Sequence, residues 1–348
     1  MTILCVHEKS KIRHPCIGRG TWRFTAKWFR FLALFVFLFP CSSAAQQRLE
    51  RVTLAVPVHA LSQLPSYVGA RFGLFAEEKL DVQIVQMRTA LVGPALIGGD
   101  LNFATAADTM LRAATTGLLV KVIAFGGIGA ALSLNVRPEI KTIEDLKGKM
   151  ISVSSRGSTT DIVAREIVRH FGLNPDKDIV TMPLGTQTNQ LAALKSNAVQ
   201  ASLFTPPYDA IAAREGLRSL AWAGDIIKDQ LQAGLVTSDD KIRALPDQVR
   251  RMVRGFVKSL IFLHREKARV VDLIVKEWKT DPDIAARSYE TMARTLSRDG
   301  SASEDAVRRV IDQTLAATKK QKQIPLSQVV DLTFLARAQK ELAIQKKQ

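Results

Sequence analysis

Cysteine is scarce in this 348-residue chain and confined to one end. Cys5, Cys16 and Cys41 all fall in the first 45 residues. From residue 46 onward this excludes disulfides, thiolate nucleophiles, cysteine-ligated zinc and iron–sulfur clusters. Histidine is nearly as sparse. Beyond residue 45 only His59, His170 and His264 remain, with no HExxH or other ligand spacing, so no metal and no cofactor is expected. No GxxxxGK[ST] loop and no GxSxG elbow occurs, which excludes P-loop nucleotide hydrolysis and the usual serine-hydrolase turn. The apolar run Phe31–Phe39 is only nine residues long. As a helix it reaches about 14 Å, half a bilayer core, too short to span. With 47% hydrophobic and 24% charged residues, the chain is neither disordered, nor collagen-like, nor a multi-span membrane protein.

What is present is charge, unevenly placed. The formal +16 suggests nucleic acid, but residues 1–45 carry seven Lys/Arg against the single acid Glu8. The remaining 303 residues hold 42 basic and 32 acidic groups, a net +10. Basic residues up to Arg30, the run Phe31–Phe39 and the small-residue exit Pro40-Cys-Ser-Ser-Ala-Ala45 describe a secretory signal peptide, residues 1–45, cut after Ala45. The protein is therefore expected to be exported. A lipid anchor on Cys41 ranks second, because Pro40 fits a lipobox poorly. The Lys-rich tail (Lys319, Lys320, Lys322, Lys346, Lys347) lacks interleaved aromatics and reads as a solvated face, so no nucleic-acid partner is expected.

From Arg51 strands and helices alternate. Arg51–Pro57 has period two, Pro65–Phe75 is helical and Asp81–Gln86 is a strand. Helix 90–98, strand 101–104, helix 107–115 and strand 120–125 follow, which implies a mostly parallel sheet covered by helices. Ala131–Val136 adds a strand without an intervening helix. A second α/β run extends from Thr142 to Thr237, and from Asp239 the chain reads as helical. Ser301 with Glu304 forms a capping box before Ala306–Thr318, and Ser327 starts the last helix. Ala95–Thr105 echoes Ala193–Leu203, each a helix end, a tight turn and a short buried strand, which favours two similar lobes.

In open α/β sheets ligands bind beyond the carboxyl ends of strands. After the first strand stand His59, Ser62 and Gln63; after the second, Arg88; after the third, Thr105 and Asp108. In the second run Ser154-Ser-Arg-Gly-Ser-Thr-Thr160 places five hydroxyls and Arg156 before a helix, where free N–H groups favour an anion. Ser154, Ser155, Arg156, Ser158 and Thr159 are ligand candidates there; the other reading is routine N-capping and a solvated turn. Thr205 and Tyr208 could bring a hydroxyl and a ring to the cleft, or Pro206 and Pro207 merely start a helix. His59 has a structural alternative, Asp108 a role toward the helix dipole, and Arg88 the ordinary role of a surface arginine. His170 and His264 read as packing or surface residues, and no catalytic residue is assigned.

Pro65-Ser-Tyr-Val-Gly-Ala-Arg-Phe-Gly-Leu-Phe75 with Leu80-Asp-Val82, Ala95–Phe103, Ile143-Glu-Asp-Leu-Lys-Gly-Lys149 before Met150–Ser154, and Ala192–Leu203 carry a resemblance. They resemble ABC-transporter solute-binding proteins of the nitrate/sulfonate/taurine (thiamine-pyrimidine-synthase-like) family, from about Arg51 to Leu342. The resemblance implies an α/β, type II periplasmic-binding-protein fold with two α/β lobes joined by hinge strands. Lobe 1 is then 51–134 plus 235–342, lobe 2 is 135–234, and the hinges lie near Asn135 and Ala223–Leu235. It also implies a non-enzymatic monomer that captures a small solute, with the loops carried over as locations and not as a specificity. The hydroxyl-and-Arg156 loop makes the expected solute an anionic organic one (sulfonate-, carboxylate- or nitrate-like). Its partners are an ABC permease and its ATPase subunits, and it meets the membrane only through that transporter. The alternatives are an enzyme on the same scaffold, or a sensory binding protein. Asn102 and Gln200 depart from the family's usual acid after the turn, and they are expected to serve the turn and strand start.

Overall fold

The computed structural model describes residues 49–57, 59–227, 230–318 and 323–343. The expected leader with Cys41 and the five tail lysines lie outside the described residues. The first part runs β1 (Glu50–Val56), α1 (Leu64–Arg71), β2 (Leu80–Gln86), α2 (Thr89–Gly98), β3 (Phe103–Ala104), α3 (Ala107–Thr115), β4 (Val120–Phe125) and β5 (Ser133–Val136). Next come β6 (Lys149–Val153), α4 (Thr159–His170), β7 (Ile179–Pro183), α5 (Gln187–Lys195), β8 (Ala201–Phe204), α6 (Tyr208–Arg214), β9 (Arg218–Trp222), α7 (Ala223–Ile226) and β10 (Gly234–Ser238). The rest is helical: α8 (Asp239–Ala244), α9 (Pro246–Arg265), α10 (Lys267–Trp278), α11 (Pro282–Ala293), α12 (Glu304–Ala317), α13 (Leu326–Val329) and α14 (Thr333–Glu341).

The strands form two five-stranded sheets of the same plan, β2-β1-β3-β10-β4 and β7-β6-β8-β5-β9. In each, the first three strands are parallel, and a strand from elsewhere in the chain inserts antiparallel before the last. Each sheet is therefore mostly parallel, as expected, with four of its five strands running one way and β10 or β5 the other. The chain enters the second sheet through β5 and returns to the first through β10, so each half contains a strand adjoining the crossing. The crossing segments 126–132 and 223–233 are bonded to each other: Gly126 and Gly127 donate to Ala233 O (both 2.8 Å), and Gln232 donates to Gly127 O (2.9 Å). Gly234 opens β10 where a Cβ would stand 2.5 Å from Ala124 O, so only glycine lets the returning strand approach.

Period-two burial places the two faces of the first sheet against different helices. Leu54, Phe103, Ile123 and Leu235 meet Val253, Phe256 and Leu260 of α9, while Ala55, Ala104, Val122 and Val236 meet Met110 and Leu111 of α3 and Val307 and Val310 of α12. In the second sheet Leu134, Ile151 and Leu203 pack on Val163, Ile167 and Val168 of α4. Each fully buried large side chain contributes about 1.5–3 kcal/mol relative to exposure.

Asn102 and Gln200 play matching parts in the two sheets. Asn102 Oδ1 accepts from Thr53 N (2.8 Å) on β1, and Gln200 Oε1 accepts from Met150 N (3.2 Å) on β6. An amide oxygen thus ties the segment before β3 to β1 and the segment before β8 to β6. One capping expectation is corrected. Ser303, in extended backbone, caps α12 by accepting from Ala306 N (3.1 Å), while Ser301 Oγ accepts from Gln339 Nε2 (2.9 Å). Glu304 is the first residue of α12, too early to close a capping box from Ser301. The final helix is α14, and Ser327 lies in the short α13 before it.

Candidate functional site

Because β6, β7 and β8 run parallel, the loops that leave them lie at one end of the sheet. The loop after β6 is largely closed on itself. Ser158 Oγ accepts from Asp161 N (3.4 Å) and Ser155 N (3.3 Å) and lies 2.9 Å from Thr160 Oγ1, which in turn accepts from Ser154 N (2.9 Å). Ser158 and Thr160 are thus capping groups. Gly157, at φ +72°, turns its N–H onto Asp161 Oδ2 (2.8 Å). Burial works against the charge on Asp161, but that N–H, the Thr181 hydroxyl and Arg165 together hold it below the usual carboxylate range. Arg156 and Thr159 stand exposed at the rim, with Ser155 beside them.

The loop after β8 is held by α5. Gln187 Oε1 accepts from Thr205 N (2.8 Å) and its Nε2 donates to Thr205 Oγ1 (2.8 Å). Thr188 Oγ1 lies 2.8 Å from the Tyr208 hydroxyl, and Tyr208 N donates to Thr205 O (2.8 Å). Sequence reasoning singled out Thr205 and Tyr208 but not Gln187 and Thr188. The same rule, applied to the β7–α5 junction, would have found them. Beneath, a buried chain of Ser152, Ser202 and Gln190 ends on Gly185 O, fixing the start of α5 (2.7, 3.2 and 3.0 Å in order).

In the first sheet the corresponding ends are those of β1, β2 and β3. Gln63 closes a short 3-10 turn (Leu61–Gln63) before α1. It is 4% exposed, and its Oε1 finds no hydrogen-bond partner among the described residues, while its Nε2 reaches Ser62 Oγ (3.5 Å). Arg88 is exposed at the start of α2. Thr105 is buried and spends its hydroxyl proton on Ala55 O (3.3 Å). Asp108 pairs with Arg112 one turn along α3 (3.2 Å), a group that also reaches Gln313 and Thr314 of α12. These contacts take Asp108 toward the helical layer. His59 stacks on Trp278 (centroids 5.0 Å, 10°), meets Tyr67 edge-on (5.2 Å), and its Nε2 is 3.5 Å from Glu277. The Arg71 guanidinium beside Glu277 holds that carboxyl low, and burial pushes the Tyr67 phenol up. A cavity of about 510 Å³ opens here, lined by His59, Tyr67, Arg71, Asp81, Gln83 and Glu277 among others, all from the first half of the fold or α10.

The two halves touch along α11. Thr291 Oγ1 donates to Asp209 Oδ2 (3.1 Å), Arg214 pairs with Asp281, and Arg294 pairs with Asp225 (3.0 Å) over the Trp222 ring (5.0 Å). Burial pushes the Asp209 carboxyl up, against the hydrogen bonds from Ala210 N and Thr291. Among the described residues no group of three His, Cys, Asp or Glu could hold a metal ion, and no helix is long and apolar enough to cross a membrane.

Residues 61–268 match the family described as NMT1/THI5 like. No curated protein matches the chain. Among solved structures, a sulfonate ABC transporter periplasmic sulfonate-binding protein SsuA from Methylobacillus flagellatus KT superposes at TM-score 0.65 with 20% identity, covering 86% of this chain and 96% of that one. The periplasmic nitrate-binding protein NrtA from Synechocystis PCC 6803 gives 0.64 at 12% identity, over 85% and 90%. The desulfurization enzyme DSZB gives 0.62 at 15%, over 84% and 99%. The chain shares with them a two-lobed α/β fold of the periplasmic-binding-protein type.

Proposed function

The chain belongs to the NMT1/THI5-like family, and from that premise we propose that it is the periplasmic solute receptor of an ABC importer, binding a small organic anion between its lobes. We take lobe 1 as 51–134 with 235–342 and lobe 2 as 135–234, after removal of a leader ending at Ala45. The observation that carries the anionic class is the distribution of charge at the carboxyl end of the second sheet. Hydroxyls and Arg156 stand there, while the neighbouring carboxylates are engaged elsewhere, Asp161 by Gly157 N and Arg165 and Asp209 by Ala210 N and Thr291. A site with donors and no free carboxylate favours an anion. From lobe 1 the exposed Arg88 adds a cation.

Binding then works by hinge closure. A ligand that touches both lobes stabilises the closed arrangement by its differential affinity, and a permease with its ATPase subunits reads that arrangement. Thermal shift against sulfonates, carboxylates and nitrate tests the reading, since a ligand of the folded state alone raises Tm. No shift with any of them overturns it. The likeness to DSZB favours a second, catalytic reading on the same fold. That reading has no cysteine to use between residues 46 and 348, and the imidazole of His59 is already engaged by Trp278 and Glu277.

A further inference from the structure

Two threonines occupy the same station in the two sheets: Thr105 directly after β3 and Thr205 directly after β8. Their hydroxyls are used in opposite senses. Thr105 Oγ1 donates to Ala55 O, so its proton is spent inside lobe 1. Thr205 is addressed by Gln187 through both ends of one side-chain amide. The backbone N–H of Thr205 is a donor only, so it must meet Gln187 Oε1. That orientation forces Gln187 Nε2, also a donor only, onto Thr205 Oγ1. The hydroxyl oxygen therefore receives a proton from Gln187 and directs its own elsewhere, and among the described residues no acceptor takes it. One position along α5, Thr188 and Tyr208 share a single hydrogen bond between two hydroxyls, which leaves one more proton without an acceptor among the described residues.

We infer that Gln187 is the positioning residue that makes Thr205 a hydrogen-bond donor to the ligand, and so selects for acceptor-rich anions without touching them. The inference rests on the receptor reading above and deepens it by assigning specificity to a group outside the rim. The buried Ser152–Ser202–Gln190 chain fixes the start of α5 and so supports the same amide from beneath.

The test is a double-mutant cycle read by calorimetry with ethanesulfonate, acetate and nitrate as probes, and with a neutral amide and a primary amine as controls. Thr205→Val and Gln187→Met each weaken the bound anion about tenfold, equal to about 1.4 kcal/mol. The double variant is no weaker than either single one, because the second change removes a group whose only route to the ligand is already gone. Thr205→Ser keeps the hydroxyl and the affinity of the parent. Gln187→Glu keeps an acceptor for Thr205 N but takes the hydroxyl proton for itself. It therefore lowers anion affinity with Tm held, and carries the test where the methionine variant folds poorly. Multiplying effects, or unchanged anion affinity in Thr205→Val, overturn the inference. Binding of the amide or amine with no anion bound also overturns it, while leaving the receptor reading intact. No binding of any probe removes the receptor reading, and the inference with it.

Discussion

Asp209 ties α6 of one lobe to α11 of the other, and Asp209→Asn tests what its charge does there. Burial raises its pKa above the ordinary 3.8, so the fold disfavours the ionised form. Asparagine preserves the contacts: Oδ1 accepts from Ala210 N as before, and Nδ2 donates to the Thr291 hydroxyl, which can accept. Only the desolvated charge is lost. A carboxyl with a raised folded pKa stabilises fully below its unfolded value, and that stability is lost as pH rises through the folded value. The variant therefore matches the parent in acid and exceeds it at neutral pH. A gain of ~1 kcal/mol is the scale of a partly compensated buried polar group. Over about 300 residues at ~2.1 cal/mol/K each, it raises Tm by ~1.6 °C. Calorimetry at about pH 3, below the unfolded value, and at about pH 7 compares the two ends. Thr291→Val, which removes a donor to the carboxylate, moves Tm the other way at neutral pH. The reasoning is refuted if Asp209→Asn melts earlier than the parent at neutral pH, or if its advantage is the same at both.

Other outcomes follow from single contacts. Asn102→Ala strands the Thr53 N–H and costs about 1–3 kcal/mol in urea unfolding, whereas Asn102→Asp, which keeps an acceptor, costs less. Gln200→Ala repeats the loss at Met150 N in the other sheet. Gly234→Ala brings a Cβ to 2.5 Å from Ala124 O, and overpacking of this kind lowers stability by about 1–3 kcal/mol on the same urea curve. Arg156→Ala, at the exposed rim, weakens a bound sulfonate or carboxylate about tenfold in calorimetry, the weight of one charge-assisted contact. Unchanged affinity takes Arg156 out of the site.

Much of the local structure is legible in the residues. Ala107–Thr115 and Val120–Phe125 are read to the residue, since apolar spacing at 3.6 and at 2 is a property of the segment itself. The two-lobe echo is also legible, and Asn102 and Gln200 turn out to lock equivalent turns. The cap of α12 was misread because Ser301 and Ser303 are chemically alike. Backbone geometry, set by the packing of Gln339 against Ser301, decides between them. In the candidate site the carboxyl ends of strands point to the loop of Thr205 and Tyr208, but not to Gln187, which reaches Thr205 from another strand–helix junction.

The sequence by itself determined the alternation of elements, the lack of cysteine beyond residue 45, and the family resemblance. All of these depend on residue type and near spacing. Only the tertiary structure decided that β5 and β10 insert antiparallel in the two sheets, because strand order depends on pairings across about a hundred residues. It alone decided that Asp108 pairs with Arg112 and turns toward the helical layer, away from the loop in which it is read. Thr105 and Thr205 show the same limit: identical side chains after equivalent strands, one with its proton spent on Ala55 and the other with no acceptor for it among the described residues. The direction of a hydroxyl is set by the partner that reaches it, and that partner comes from elsewhere in the fold.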